Sequence, residues 1–389
     1  MGGNAFSQGD DALSTPRMPP ELYFKLKREY QETLQQFYNE VRCPQEVPDK
    51  PDHGDIDFLV AGLKHGCVRD DVAVGLRAER WTKTHPAVSY AVPLAGTDDQ
   101  YVQVDLLECP PDMLDWDVFM KSYGDLWQIF GHTLRNLGFT ANVKGFHLRI
   151  PEIEARNQKE SMLLLTKDPD AVMAFLGLDA NKWHGRSTLG QGPAGFTSVE
   201  DIFEWCTSGR FFSLEFLNDK REKSNDRRRL KQRSMFASFL NEWLPARPEL
   251  RVEDLKWTRQ EILKLALSAF NQQKEYEKMM HTHDIMLRED ALWEEVRRVV
   301  PKQGDQLNLV LRALKRWVQF ENGKPELRHE ADMHDENRPP WASTVDEEDQ
   351  EGLVNWVQEN WERVKDKEKS RISQAKRERR ESGQAVSLV

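Results

Sequence analysis

Asp55 and Asp57 stand one residue apart at the head of the apolar run Ile56-Asp57-Phe58-Leu59-Val60. Asp105 interrupts a second such run, Tyr101-Val102-Gln103-Val104-Asp105-Leu106-Leu107. Residues i and i+2 of an extended strand project from one face, so the first two carboxylates point the same way. Adjacent anions repel each other, and a cation between them relieves that repulsion. A hard divalent ion with oxygen ligands, Mg²⁺ above all, suits the set. Three aspartates on neighbouring strands are also what two-metal phosphoryl or nucleotidyl transfer needs. The plainer alternative has Asp55 ending a strand, Asp57 paired with a lysine and Asp105 unrelated. An unpaired carboxylate buried in an apolar run is costly, which weighs toward the metal.

Other residues carry weaker signals. Gly2-Gly3 lack a Cβ, so their backbone N–H groups could approach phosphate oxygens, although terminal glycines are common without such a role. Lys220 to Arg233 holds eight cations, among them Arg227 and Arg228, in a chain of net charge −10. Such a segment is either a solvated face or a contact for a triphosphate or an RNA backbone. His147 and Arg149 alternate on one strand and either reach the cleft beside Asp105 or belong to the core. His281 and His283 differ by about 200° around a helix, which rules out a zinc pair. Trp257, Trp293 and Trp317 read as core. The chain has no nucleophile elbow, no GxxxxGK[ST] loop and no Rossmann fingerprint.

The elements that must position the aspartates follow from periodicity and breakers. Leu22, Leu26, Tyr30, Leu34 and Phe37 are spaced for a helix over 21–41. Pro44, Pro48 and Pro51 lead from it into the Asp55/Asp57 strand. Residues 61–80 suit a short helix with Asp70-Asp71 in its first turn. Val88 to Leu94 alternates like a strand and turns at 96–99 into the Asp105 strand, a hairpin. Leu126 to Leu137 reads as a helix closed by Gly138, and 145–150 and 161–166 read as strands. Beyond Asp168, an N-cap followed by Pro169, helices dominate to Phe320, one of them opening on a Thr197/Glu200 capping box. Residues 321–350 read as an acidic linker and Leu353 to Arg380 as a charged helix that packs through its tryptophans.

With 389 residues, 39% hydrophobic and 31% charged, 12 Trp and 18 Phe, the chain can build two or three cored domains. Its acidity argues against indiscriminate coating of nucleic acid. Four cysteines without metal or disulfide spacing fit a reducing compartment, and neither a signal-peptide core nor an 18-residue apolar run is present. A cytoplasmic or nuclear protein with no membrane contact is the expectation; oligomeric state is not addressed by the residues.

Gly54-Asp55-Ile56-Asp57 before Phe58-Leu59-Val60, with a later apolar-Asp-apolar strand, resembles the DNA polymerase beta-type nucleotidyltransferase superfamily. The first part is similar to nucleotidyltransferases of bacteriophage type. Shared with these are Met1-Gly2-Gly3-Asn4-Ala5-Phe6, Arg17, Gly124-Asp125-Leu126, Gly145-Phe146-His147-Leu148, Phe175-Leu176-Gly177-Leu178, and an Arg-rich stretch before Met235-Phe236-Ala237-Ser238-Phe239. The likeness runs over roughly 1–245. It implies an α/β catalytic core in which Gly2-Gly3 contact phosphate, with Gly54, Arg227 and Arg228 also at the nucleotide. Asp55 and Asp57 would hold two Mg²⁺ ions on the triphosphate. Asp105 would be the third ligand and help deprotonate the attacking hydroxyl. The glycine pair lies much farther upstream of Asp55 than the superfamily usually places it, with no strand before it.

The resulting expectation is an α+β protein: a nucleotidyltransferase-like domain over 1–165, a helical domain over 166–320, and an acidic linker with a charged helix over 321–389. Its function would be Mg²⁺-dependent transfer of a nucleoside monophosphate from a nucleoside triphosphate to a hydroxyl of RNA, protein or a small molecule. Alternatives are a non-catalytic nucleotide- or RNA-binding protein that keeps the fold, or a scaffold that recruits partners through its helical half.

Overall fold

A computed structural model describes residues 3–9, 11–84, 87–185, 195–212, 233–250, 257–333, 339–345 and 349–385. The architecture is α+β, divided into two units, residues 1–273 and 274–389. The first helix, α1 (Pro20–Leu34), opens on a proline at its first position, where the missing N–H costs nothing. It buries Tyr23, Leu26, Tyr30 and Leu34, each worth roughly 2 kcal/mol of transfer free energy. The helix stops short of Val41 because Tyr38–Arg42 forms a strand, β1, antiparallel to β2 (Ile56–Leu63). Phe37 instead lies against α2 (Arg69–Leu76), where a Cβ on Gly75 would stand 2.4 Å from its ring. Within the stretch expected to be helical over 61–80, only α2 is helix. Residues 61–63 prolong β2, and Arg80 opens β3 (Arg80–Thr84).

β4 (Ala87–Pro93) and β5 (Tyr101–Glu108) form the anticipated hairpin, and the sheet runs β1-β2-β5-β4-β3. Only the β2·β5 pairing is parallel. Alternation gives this sheet two different faces. Ile56, Phe58, Val60, Val104 and Leu106 pack with the buried side chains of α1 and α2. On the opposite face Leu59, Ala61 and Leu107 pack with Leu114 and Val118 of α3 (Leu114–Lys121). Asp57 and Asp105 belong to this second face, one step before those apolar residues.

The rest of the first unit supports that layer. Trp116 and Phe119 of α3 meet Trp127 of α4 (Leu126–Leu134) at 5.1–5.8 Å between ring centres. A 3₁₀ turn, Arg135–Leu137, and Gly138 at φ 97° end that stretch. A second sheet joins β6 (Phe139–Asn142), β7 (Gly145–Arg149) and β8 (Met162–Thr166), all antiparallel. His147 is buried in it with Nδ1 2.9 Å from the Gly145 carbonyl, a core histidine. Arg149, also buried, donates to Glu154, Thr140 and the carbonyls of Arg135 and Phe139, and so braces this sheet. Asp125 accepts from Arg233 and from the Phe236 amide, which ties the two distant segments Gly124-Asp125 and Met235-Phe236 together. Asp168 caps the helix Pro169–Leu176 as expected. The helix Val199–Thr207 is capped by Ser198 and reinforced by Asp201 rather than by Thr197 with Glu200, one residue later than the spelling implied.

In the second unit, helices Gln273–Val299, Gly304–Trp317 and Gln350–Ala385 surround a core of Leu292, Trp293, Val296, Leu314, Trp317, Val357 and Val364. The stretch read as a linker contributes to it. Residues 318–327 form a hairpin, and Trp341 and Val345 are buried. Leu353, Val357, Trp361 and Val364 recur every three or four residues and bury one stripe of the charged final helix. One turn on, Glu368 is buried with Arg316, Arg371 and the Trp317 indole donating to it. Burial opposes its ionisation, but those donors outweigh it and hold its pKa at about 2. An unfolded glutamate titrates near 4.3, so this stabilisation is complete above that pH and fades as pH falls toward 2. We expect Glu368→Ala to destabilise the second unit by about 3 kcal/mol at pH 7, since two arginines and an indole lose their acceptor. The difference from wild type should shrink between about pH 4 and pH 2 in urea unfolding followed by tryptophan fluorescence.

Candidate metal centre

Strand pairing assembles the site. In the parallel β2·β5 ladder Asp57 is the direct neighbour of Asp105, and in the antiparallel β4·β5 ladder Ser89 is opposite Asp105. Asp55, just before β2, completes the group: one carboxylate oxygen from each of Asp55, Asp57 and Asp105 lies within 4.8 Å of the others. Among the described residues no other set of three His, Cys, Asp or Glu side chains meets in this way. Of the residues expected at the site, Asp55, Asp57, Asp105, Gly3 and Gly54 are therefore brought together. Gly2, Arg227 and Arg228 lie outside the described residues, as do residues 220–232 of the basic segment.

The donor set is all hard oxygen, as Mg²⁺ prefers. Asp57 is an exposed residue, yet the protein crowded around its carboxyl makes lost hydration the first cause of a pKa raised to about 7. The charges of Asp55 and Asp105 add to that rise, and Lys121 opposes it. The Asp105 carboxyl is also held above the usual range, chiefly by burial, against hydrogen bonds from Ser89 and Gln103 that favour its charged form. These two carboxylates are thus short of positive charge, and a divalent cation would relieve both.

A backbone arm reaches the cluster. The Gly3 N–H donates to Asp55 Oδ2 at 3.1 Å, and Gly3 has φ 86°. A Cβ there would stand 2.5 Å from the Gly54 carbonyl oxygen, so a side chain would force arm and strand apart. The Thr15 hydroxyl donates to the Gly3 carbonyl at 2.6 Å, and the Ala5 N–H donates to Gln103 Oε1 at 2.9 Å. Farther along, Tyr101 N–H bonds to the Ser14 carbonyl, and Met18 pairs with His53 in both directions at 2.8 and 2.9 Å. His53 is buried and stacked on Tyr23, ring centres 3.6 Å apart, and this anchors the chain immediately before Gly54. The long sequence gap between Gly3 and Asp55 is bridged in space by this arm.

Three positions went unread in the sequence. Gln103 occupies the Asp105 face of β5 two residues earlier, and its Nε2 lies 3.0 and 2.9 Å from the two Asp105 oxygens. Strand alternation alone could have indicated it. Ser89 depends on hairpin register, and Lys121 on how α3 crosses the sheet, so neither had a sequence signal.

No protein-family model and no curated protein sequence matches the chain. Among solved structures, it is similar to a Leishmania infantum polymerase beta in a ternary P/T complex, at 12% identity and TM-score 0.33, over 44% of this chain and 77% of that one.

In an unfolded chain Asp57 ionises near pH 4, but in the fold only near 7. Between those values the folded state holds the extra proton, so metal-free stability falls as pH rises from about 4 to 7. Asp57→Asn should flatten that slope and raise stability at pH 7 by about 1 kcal/mol, solvent screening allowed for. Thermal unfolding in a chelator across this pH range measures it.

Proposed function

We propose that this chain is a Mg²⁺-dependent nucleotidyltransferase that moves a nucleoside monophosphate from a nucleoside triphosphate to a hydroxyl of RNA, protein or a small molecule. The observation that supports it most is the pairing of Asp57 with Asp105 on adjacent parallel strands, with Asp55 beside them and two of the three carboxyls raised in pKa. Asp55, Asp57 and Asp105 would hold the metal, which would supply charge neutralisation at the triphosphate and at the attacking oxygen. The proposed reaction is in-line. The acceptor oxygen bonds to the α-phosphorus, the bond from that phosphorus to the bridging oxygen breaks, and pyrophosphate leaves. The hydroxyl proton passes to the Asp105 carboxylate.

In this reading Gly54 and the Gly3 backbone shape the floor on which phosphate oxygens would rest, and Gly2 would contact phosphate as well. Lys121, whose charge already acts on Asp57, offers a cation on the phosphate side. Arg227 and Arg228 would supply positive charge to the triphosphate or to an RNA acceptor. No helix among the described residues is long and apolar enough to cross a membrane. Incubation of the protein with each α-labelled triphosphate, Mg²⁺ and total cellular RNA and protein should yield labelled product and pyrophosphate. Asp57→Asn and Asp105→Asn should each lower that rate by on the order of 10³-fold or more. Triphosphate binding without any pyrophosphate release, at any metal concentration, would instead indicate a binding protein that keeps the fold.

A further inference from the structure

Gln103 is 3% exposed on the strand face that carries Asp105, and its side chain hydrogen-bonds to Asp105 and to the Ala5 N–H. Its amide nitrogen spans both oxygens of Asp105, at 3.0 and 2.9 Å. Its amide oxygen accepts the Ala5 N–H at 2.9 Å, two residues beyond the Gly3 N–H that reaches Asp55. A carboxylate free to turn about its last side-chain bond presents its oxygens in many directions. One pinned through both oxygens presents them in one. The same amide is fixed from behind by the arm, so one side chain bears on both the orientation of Asp105 and the seating of the arm. We infer that Gln103 is a positioning residue that locks Asp105 for the metal and couples that lock to the seating of Gly3 and Ala5 beside Asp55. The inference rests on the metal-centre reading above, and adds to it a residue that touches neither metal nor substrate.

Methionine has a similar length and volume, and can fill the Gln103 site without either hydrogen bond. Ala5→Pro removes the amide that steadies Gln103 from the arm and confines its change to the arm, leaving the residues of β5 as they are. The measurement is Mn²⁺ binding to the full-length protein, read from the free-ion paramagnetic resonance signal well below the unfolding temperature. Asp57→Asn serves as the variant lacking a proposed ligand. Gln103→Met should raise the Mn²⁺ dissociation constant by roughly 10- to 100-fold, the usual cost of losing a group that orients a metal ligand. Ala5→Pro should raise it by less. A purely structural Gln103 would lower the unfolding midpoint but leave Mn²⁺ affinity at its wild-type value, and that result overturns the inference. Should Gln103→Met fail to fold, an unchanged affinity in Ala5→Pro overturns it equally. Wild type without measurable Mn²⁺ binding would defeat the metal-centre reading itself. Wild-type binding, lost in Asp57→Asn but unchanged in Gln103→Met, would defeat only the role of Gln103.

Discussion

Repulsion between carboxylates that the sheet does not allow to separate is the constraint on which this site depends. Asp57 and Asp105 are direct neighbours in a parallel ladder, so backbone hydrogen bonding fixes their proximity regardless of charge. Asp55 joins them from the residue before β2, and the protein around Asp57 and Asp105 removes part of the hydration that would screen the group. A fold tolerates such a cluster only if something offsets it. Here the offsets are the readier protonation of Asp57, the amide of Gln103, the hydroxyl of Ser89, the charge of Lys121 and, in the reading we favour, a divalent cation.

The sheet around that cluster is built to keep it open. On the acidic face, α3 covers Leu59, Ala61 and Leu107 and stops there, whereas the other face is sealed by α1 and α2. The same strands therefore change, within two residues, from a closed apolar layer to a polar ledge. That is a way to combine a rigid scaffold with access for ligand. The arm over 3–18 completes the ledge. It is held at Gly3, Ala5, Ser14 and Met18, each against a different part of β2, β5 or their approaches. Because Gly3 has no room for a Cβ, the approach of arm to strand is limited only by backbone contact.

The second unit uses charge differently. Glu368 is buried, but three donors surround it, so its anion is stabilised where that of Asp57 is not. One protein thus contains a saturated carboxylate that braces a core and an unsaturated set poised for a cation. The number of donors in reach distinguishes them, and residue type does not.

Much of the site was legible in the residues. Asp55, Asp57 and Asp105 interrupt apolar runs at strand spacing, and the 87–108 hairpin and the cap at Asp168 followed from local rules. Those rules concern one strand or one turn, where chemistry and period are set by neighbours in sequence. The helix expected to Val41 ended at Leu34 because pairing of Tyr38–Arg42 with β2 outweighed an apolar period shared by both states. Residues 321–345 looked like linker because their few apolar groups show value only when packed on Trp293 and Trp317. Sequence by itself determined which side chains would repel and which strands would carry them. Only the tertiary structure decided that β2 lies parallel to β5, that Gly3 crosses some fifty positions to meet Asp55, and that Gln103 accepts the Ala5 N–H from the arm. Those are long-range pairings, selected by the burial of the whole sheet rather than by any local preference.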